Sequence, residues 1–318
     1  MPIHIPPGWR LPEHTVTPEA LYLSRRRFLA GVGLGSLAAV GAAWGWQALH
    51  RAAPLPLAAP LGGRPDPRFA DAGRALTRED EVLSYNNYYE FSTDKRAVAQ
   101  LARGFKLEPY TLTVDGLVDR PRTFDLAQIE ALGVEERVYR HRCVEAWAMA
   151  VPWLGVPLSS LLRLVEPQAA ARHVAITCFH DPAQAPGQRN DYFAWPYYES
   201  LRLDEAMNEL SLLVSGIYGK RLAPQNGHPL RLVLPWKYGF KGPKALVRMT
   251  LTAAPPPTFW NDLAPDEYSL LGNVDPHTPH PRWSQANERL IDTGERVPTE
   301  IYNGYGAWVA GLYPQGPT

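Results

Sequence analysis

Proline is the feature that most limits what this chain can fold into. The 318 residues include 32 prolines, and they occur along most of the length. Because proline lacks a backbone N–H and disrupts helix interiors and inner strands, long regular helices are disfavoured. The sequence therefore predicts short elements joined by many irregular connections.

Short apolar runs between the prolines agree with this prediction. Strands are predicted at 110–118, 134–143, 173–179, 210–217, 230–236 and 246–253, and short helices at 123–132, 157–165 and 201–208. Residues 152–157 contain two prolines and a glycine, which predicts a turn. Strands and helices mix without a regular βαβ rhythm, so we predict an α+β fold with mixed sheets, short helices and long irregular connections.

The first fifty residues have the form of an export signal. Residues 24–29 read SRRRFL, and an apolar run without charges continues to Trp46. Paired arginines before a short Gly/Ala-rich apolar run are typical of the twin-arginine signal. An uncleaved membrane anchor is the alternative, but the run is near the lower length limit for spanning. We predict an export signal over 1–50, a Pro/Ala-rich linker over 51–80, and a globular domain over 81–318 with an extended C-terminal tail.

The predicted signal also implies a location and a partner. It predicts a periplasmic protein that is exported already folded by the twin-arginine machinery. Since folded cargo often acquires a cofactor before export, the signal is indirect evidence for a cofactor. Lys+Arg and Asp+Glu both number 32, so the net charge is zero, and a nucleic-acid partner is not expected.

Cys143 is the first candidate for chemistry. Arg140 and Arg142 precede it in the chain, and Trp147 follows it. The neighbouring arginines are expected to lower the pKa of the thiol and favour the thiolate. A thiolate is a soft ligand for transition metals. Two alternatives remain open at this point: Cys143 is a small buried apolar residue, or it forms a disulfide with Cys178, since an even cysteine count in an exported protein permits one.

Two further segments suggest ligand binding. Residues 236–244 interleave three lysines with three aromatic residues and two glycines, and with Arg231 they could hold an anionic phosphate. Residues 84–91 combine amides with tyrosines, a pattern suited to a polar planar ligand, although hydrogen-bonded surface tyrosines are the alternative. His277 and His280 flank proline turns without a third ligand, so no zinc site is predicted there.

Several common kinds of active site have no motif in this sequence. It contains no GxGxxG, GxSxG, HExxH, CxxC or CxxCH pattern. Nicotinamide enzymes, serine hydrolases, zinc proteases, thioredoxin-like proteins and c-type cytochromes therefore lose support.

Three motifs together resemble a known family. Residues 140–147 (RHRCVEAW), 224–227 (PQNG) and 235–242 (PWKYGFKG) are similar to the molybdopterin domain of the sulfite oxidase family. With the twin-arginine signal and residues 85–91 (YNNYYEF), the chain more closely resembles the branch of catalytic subunits that reduce methionine sulfoxide in periplasmic proteins. The resemblance covers nearly the whole chain.

The resemblance implies Mo-molybdopterin as the cofactor. One pyranopterin dithiolene and the Cys143 thiolate would bind the molybdenum, with Arg231 and Lys244 facing the terminal phosphate. Cys178 replaces a family threonine, so only a weak side-chain hydrogen bond is available there, and Pro243 removes one backbone donor. The cofactor-binding residues that the resemblance implies are Asn86, Tyr89, Glu90, Cys178, Asn226, Arg231, Gly242, Pro243 and Lys244.

The resemblance also implies a reaction. The expected activity is oxygen-atom transfer that reduces methionine sulfoxide in oxidised envelope proteins, with electrons from a membrane haem b subunit fed by quinols. A sulfite dehydrogenase running the opposite oxygen transfer is an alternative within the family. A non-catalytic exported binding module with a Cys143–Cys178 disulfide is the alternative outside it.

Overall fold

The structure is a computed structural model that describes residues 58–317. The predicted export signal over 1–50, with its membrane-anchor alternative, and the first part of the predicted linker lie outside the described residues. No helix between residues 58 and 317 is long and apolar enough to cross a membrane.

The first sheet is organised around two long neighbouring strands, β4 (Glu135–Arg142) and β5 (Trp147–Pro157). They pair antiparallel, and all of β5 except its last residue is buried. β5 also pairs with β8 and, in parallel, with β12, so it is the central strand. The remaining strands of this sheet are β1 (Arg64–Pro65), β8 (Leu212–Ile217), β9 (Lys220–Arg221), β10 (Arg231–Val233), β12 (Asn287–Leu290) and β13 (Arg296–Pro298).

The second sheet has the strand order β3-β2-β11-β6-β7. β2 and β11 run parallel and the other pairs are antiparallel, so this sheet is mixed. Apolar side chains of both sheets belong to one buried core, which includes Val151 and Leu213 from the first sheet and Ile176 and Met249 from the second. The strands are β2 (Thr111–Gly116), β3 (Arg122–Asp125), β6 (His173–Cys178), β7 (Tyr198–Arg202) and β11 (Leu246–Thr252).

The helices are short, as the proline content predicts. Asp125 begins the third helix with a capping box, because its carboxylate accepts from the Gln128 N–H while the Gln128 side chain accepts from the Asp125 N–H. The α+β class with mixed sheets is confirmed. The α-helices are α1 (Glu79–Ser84), α2 (Val98–Leu101), α3 (Leu126–Glu130), α4 (Leu158–Val165), α5 (Leu203–Met207), α6 (Phe259–Leu263) and α7 (Gly306–Val309); 3-10 turns lie at Pro67–Phe69, Pro186–Arg189, Pro224–Asn226, Gly239–Lys241, Ile301–Gly304 and Ala310–Leu312.

The structure corrects three predictions. Residues 152–157 are the second half of β5 rather than a turn, because burial on both sides outweighs the proline signal. The domain begins before the predicted boundary: residues within 58–80, assigned to a linker, pair with the first sheet through β1 and bury Phe69. The predicted helix at 201–208 begins only at Leu203, since residues up to Arg202 form β7.

Candidate active site

Cys143 lies in the tight connection between β4 and β5. Its N–H donates to the Trp147 carbonyl over 2.9 Å, and the Ala146 N–H donates back to the Cys143 carbonyl over 3.0 Å. Ala146 has a φ of 63°, a left-handed conformation that L-residues adopt only when the surroundings enforce it. The turn places the thiol just beyond the end of β4, as the sequence predicts, with 5% of the residue exposed.

The sulfur accepts two hydrogen bonds. The Asn87 side-chain amide donates over 3.3 Å and the Glu145 backbone N–H over 3.4 Å, an arrangement that suits a sulfur carrying negative charge. In the protein alone, burial raises the pKa of the Cys143 thiol to about 12, and the nearby Glu145 carboxylate adds to the rise. Both cysteines are free and buried, so the disulfide of the binding-module alternative is not formed.

The two arginines beside Cys143 do not surround the thiol as the sequence suggested. Arg140 donates to the Ala72 carbonyl and pairs with Glu300. Arg142 donates to the Cys143 carbonyl and pairs with Glu288 over 3.0 Å. Arg142 does lower the pKa of the Cys143 thiol, as expected, but burial is the larger effect, so the expectation that the thiolate is favoured is wrong for the protein alone.

A segment of the C-terminal tail fixes the thiol loop. The Trp283 indole N–H and the Gln285 side-chain amide both donate to the Val144 carbonyl over 2.8 Å. The Gln285 oxygen accepts from the Arg142 guanidinium over 2.9 Å, so one glutamine joins Arg142 to the loop. The Cys143 carbonyl accepts from Arg142, and the Val144 carbonyl accepts from the two tail residues, so hydrogen bonds hold the loop in place before any ligand binds.

Three amide side chains form one wall of the pocket next to this loop. Asn86 and Asn226 both donate to the Val82 carbonyl over 3.0 Å, and Gln225 donates to the Leu83 carbonyl over 3.0 Å. These bonds occupy the amide N–H groups, while the three side-chain oxygens are buried without a partner. Unpaired buried acceptors are costly, so this wall fits a ligand that carries several N–H donors, as a pterin does.

Positive charge is concentrated beside this amide wall. Arg231 donates to the Asn226 carbonyl over 3.0 Å, but its Nε is buried without a partner. Lys244 lies over the Tyr88 ring at 4.9 Å, and within residues 58–317 neither cation forms an ion pair. Burial lowers the pKa of Arg231 to about 10 and that of Lys244 to about 8. Buried cations without counterions fit a phosphate group.

Glu90 lies in the pocket lining with these cations, and its carboxylate neutralises their positive charge only in part. Burial raises its pKa to about 7, although Lys244 opposes the rise.

The backbone turn nearby depends on Gly227, whose φ is 103°. A Cβ there would approach the Lys244 side chain to 3.0 Å. The site thus has charge and space suited to an anionic group.

These features belong to one pocket, with about 880 Å³ of space including its mouth. Every cofactor residue that the resemblance implied lines it, except Cys178. Cys178 lies on β6, is 1% exposed and does not belong to the lining. The lining residues are Tyr85, Asn86, Asn87, Tyr89, Glu90, His141, Cys143, Val144, Glu145, Trp147, Met149, Tyr197, Gln225, Asn226, Arg231, Gly239, Phe240, Gly242, Pro243, Lys244, Trp260 and Tyr268.

Aromatic rings line much of this pocket, and two of them, Trp260 and Tyr268, were not predicted as site residues from the sequence. Trp260 stacks on Tyr268 with ring centroids 5.0 Å apart and meets Tyr89 edge to face at 5.2 Å. Tyr85 and Trp147 form another edge-to-face pair at 5.3 Å. Trp260 and Tyr268 are distant in sequence from the motifs, so only the fold brings them to the site. The amides Asn87 and Gln225 adjoin predicted residues and could have been found from that position.

A family model and a solved structure are similar to this chain. Residues 99–260 match the family model described as the oxidoreductase molybdopterin binding domain. The sulfane dehydrogenase SoxCD from Paracoccus pantotrophus is similar at 17% sequence identity with a TM-score of 0.43; the match covers 61% of this chain and 60% of the SoxCD chain. The chain belongs to the family of molybdopterin-binding oxidoreductase domains of the sulfite oxidase type, and its cofactor is Mo-molybdopterin.

Proposed function

We propose that this protein reduces methionine sulfoxide in oxidised proteins, with Cys143 as the protein ligand of the molybdenum. In the overall reaction the S=O bond breaks, two electrons and two protons are consumed, and the products are methionine and water. When bound, Mo-molybdopterin supplies the oxygen-atom transfer. The polypeptide supplies binding, orientation and electrostatics.

The charge of the pocket is the observation that carries the choice of substrate. Arg231 and Lys244 are the two basic residues other than His141 in its lining, and we assign both to the cofactor phosphate. What remains for a substrate beside the thiol is the Glu145–Lys95 ion pair, which has no net charge, together with amides and aromatic rings. A neutral sulfoxide on an apolar side chain suits that surface, whereas sulfite is a dianion that calls for arginines.

Individual residues would then have separate tasks. The side-chain oxygens of Asn86 and Asn226 accept hydrogen bonds from the pterin, and Asn87 helps to hold the Cys143 sulfur. The aromatic pair Trp260 and Tyr268 packs against the methyl and methylene groups of the methionine sulfoxide side chain and excludes water from the reacting atoms.

The cellular setting is part of the same proposal. Export by the twin-arginine route would place the enzyme in the periplasm, where it repairs oxidised envelope proteins. The family resemblance supports a membrane haem b subunit, fed by quinols, as the electron donor.

Steady-state turnover with two substrates tests the proposal. The molybdenum-loaded protein is assayed for oxidation of a reduced dye by peptide methionine sulfoxide, and for reduction of an oxidised acceptor by sulfite. We expect the first activity to exceed the second by orders of magnitude. Efficient sulfite oxidation without sulfoxide reduction would overturn the proposal in favour of a sulfite dehydrogenase.

A further inference from the structure

A second depression lies beside the active-site pocket, and Glu145 lines both of them. The hairpin of β12 and β13 forms its far side, and the Arg289 N–H donates to the Ala146 carbonyl over 2.9 Å. The hairpin is therefore attached to the thiol loop itself. The depression is lined by Glu145, Ala146, Trp283, Ser284, Asn287, Arg289 and Arg296.

Two arginines in this depression have no counterion among residues 58–317. Arg289 and Arg296 lie directly opposite each other in the antiparallel pair. Arg289 makes one side-chain hydrogen bond, to the Tyr85 hydroxyl at 3.3 Å, and the exposed Arg296 side chain makes none within residues 58–317. Like charges directly across a strand pair are destabilising, so an anion bound here would relieve a repulsion that the hairpin otherwise retains.

The one carboxylate in the depression is already paired. Glu145 forms an ion pair with Lys95 at 2.7 Å and accepts from the Trp147 indole at 3.3 Å. It therefore does not neutralise the two arginines. Ser284 and Asn287 add neutral hydrogen-bonding groups to the same surface. Guanidinium groups beside such residues suit a carboxylate, which they can bind through two parallel hydrogen bonds.

We propose that this depression binds an acidic side chain of the polypeptide that presents the sulfoxide. This inference rests on the proposed function, because it requires a peptide substrate. A substrate chain whose methionine sulfoxide enters the active-site pocket can continue past Glu145 into the depression. Residues next to the sulfoxide in that chain then reach Arg289 and Arg296. The enzyme thereby favours sulfoxides that lie near Asp or Glu.

The test compares matched peptides. Each carries one methionine sulfoxide with Glu at one neighbouring position on either side, and its partner carries Gln there. For the molybdenum-loaded protein at low ionic strength we expect kcat/KM to be about threefold higher for the best-placed Glu peptide. The difference falls in KM, because the contact is the same in the ground and transition states.

Arg296→Gln removes one guanidinium and should bring the ratio of kcat/KM for Glu and Gln peptides close to unity. Arg296→Glu should lower this ratio below unity, and a matched peptide with Lys at the same position should then be the best substrate. Arg163→Gln, an equal charge change at an exposed position on α4, is the matched control and should keep the parent ratio. Equal kcat/KM for Glu and Gln peptides, or a ratio that Arg296→Gln leaves unchanged, would overturn the subsite. If no peptide is reduced at all, the proposed function fails instead.

Discussion

The thiol loop differs from the region around Asn226, Arg231 and Lys244, which we assign to the cofactor phosphate and call the phosphate end, in how the buried polar groups are satisfied. Around the loop, Arg142 is fully buried and pairs with Glu288, which also pairs with Arg74 at 2.6 Å. At the phosphate end, the Asn226 oxygen and the Arg231 Nε are buried without partners. The ion pairs of the first region are complete within the protein, whereas we expect a ligand to complete the second region. Mutations in the first region should therefore lower the stability of the protein with or without cofactor. Mutations in the second region should weaken cofactor binding and leave the stability of the apoprotein unchanged.

The largest expected effect is at the loop. Arg142→Met leaves Glu288 as a buried carboxylate with Arg74 as its remaining ion-pair partner among the described residues, and it removes the donor to the Cys143 carbonyl. We expect the free energy of unfolding to fall by roughly 3–5 kcal/mol in urea denaturation, with or without cofactor. Arg64→Met is the control, since Arg64 pairs with Glu135 at the surface, and it should cost about 0–1 kcal/mol. A loss as small as that of the control would remove the distinction between the regions.

At the phosphate end, Arg231→Met should act on cofactor binding and not on the stability of the apoprotein. The desolvated guanidinium makes one hydrogen bond, so its removal should not lower the free energy of unfolding of the cofactor-free protein. The pterin and molybdenum content should fall roughly 10- to 100-fold at limiting cofactor, because a charge-assisted phosphate contact is lost. Full cofactor content together with a strongly destabilised apoprotein would contradict the comparison.

Gln285→Leu tests the link between the tail and the thiol loop. It removes one of two donors to the Val144 carbonyl and the acceptor for Arg142, so we expect a loss of roughly 1–3 kcal/mol in the free energy of unfolding. Because the loop holds the proposed metal ligand, the electron paramagnetic resonance signal of the molybdenum centre should also change. Gln285→Glu keeps the acceptor for Arg142 and should lose less stability. An unaltered spectrum in Gln285→Leu would show that the contact is structural only.

The smallest expected effect is a pH dependence of the apoprotein. Burial lowers the pKa of His228 below the ordinary value of 6.5. Below pH 6.5 the unfolded chain therefore binds a proton that the folded chain does not, and stability falls with decreasing pH by at most about 1.4 kcal/mol per pH unit. In urea denaturation across this range, His228→Gln should show a shallower slope than the parent protein. Equal slopes would mean that His228 does not contribute.

Local signals in the sequence were sufficient for much of the fold. The strand at 134–143 and the helix at 157–165 were predicted within a few residues, because each has a clear apolar pattern and its own boundary signals. β5 was not predicted as a strand, and its second half was assigned to a turn, since Pro152 and Pro157 indicate a turn when burial by neighbouring strands is not known. The segment before residue 81 was taken for a linker because pairing with the first sheet is a long-range contact.

The candidate site shows the same limit. Cys143, Asn226 and Lys244 fall in short motifs and were found from the sequence. Trp283 and Gln285 lie in a tail without periodicity, and their contacts with the Val144 carbonyl depend on how the tail returns to the first sheet. The pKa of the Cys143 thiol was misjudged because sequence proximity to Arg142 does not show that burial of the thiol is the larger effect.

The central claim is that Cys143 ligates the molybdenum of a cofactor held mainly by the rest of the pocket. Its most direct test is the molybdenum and pterin content, with the electron paramagnetic resonance spectrum, of the purified parent protein and of Cys143→Ser. We expect equimolar molybdenum in the parent, and in the variant an altered spectrum and no turnover, with most of the pterin retained. A variant with the parent spectrum and full activity would contradict the assignment of Cys143 as the ligand.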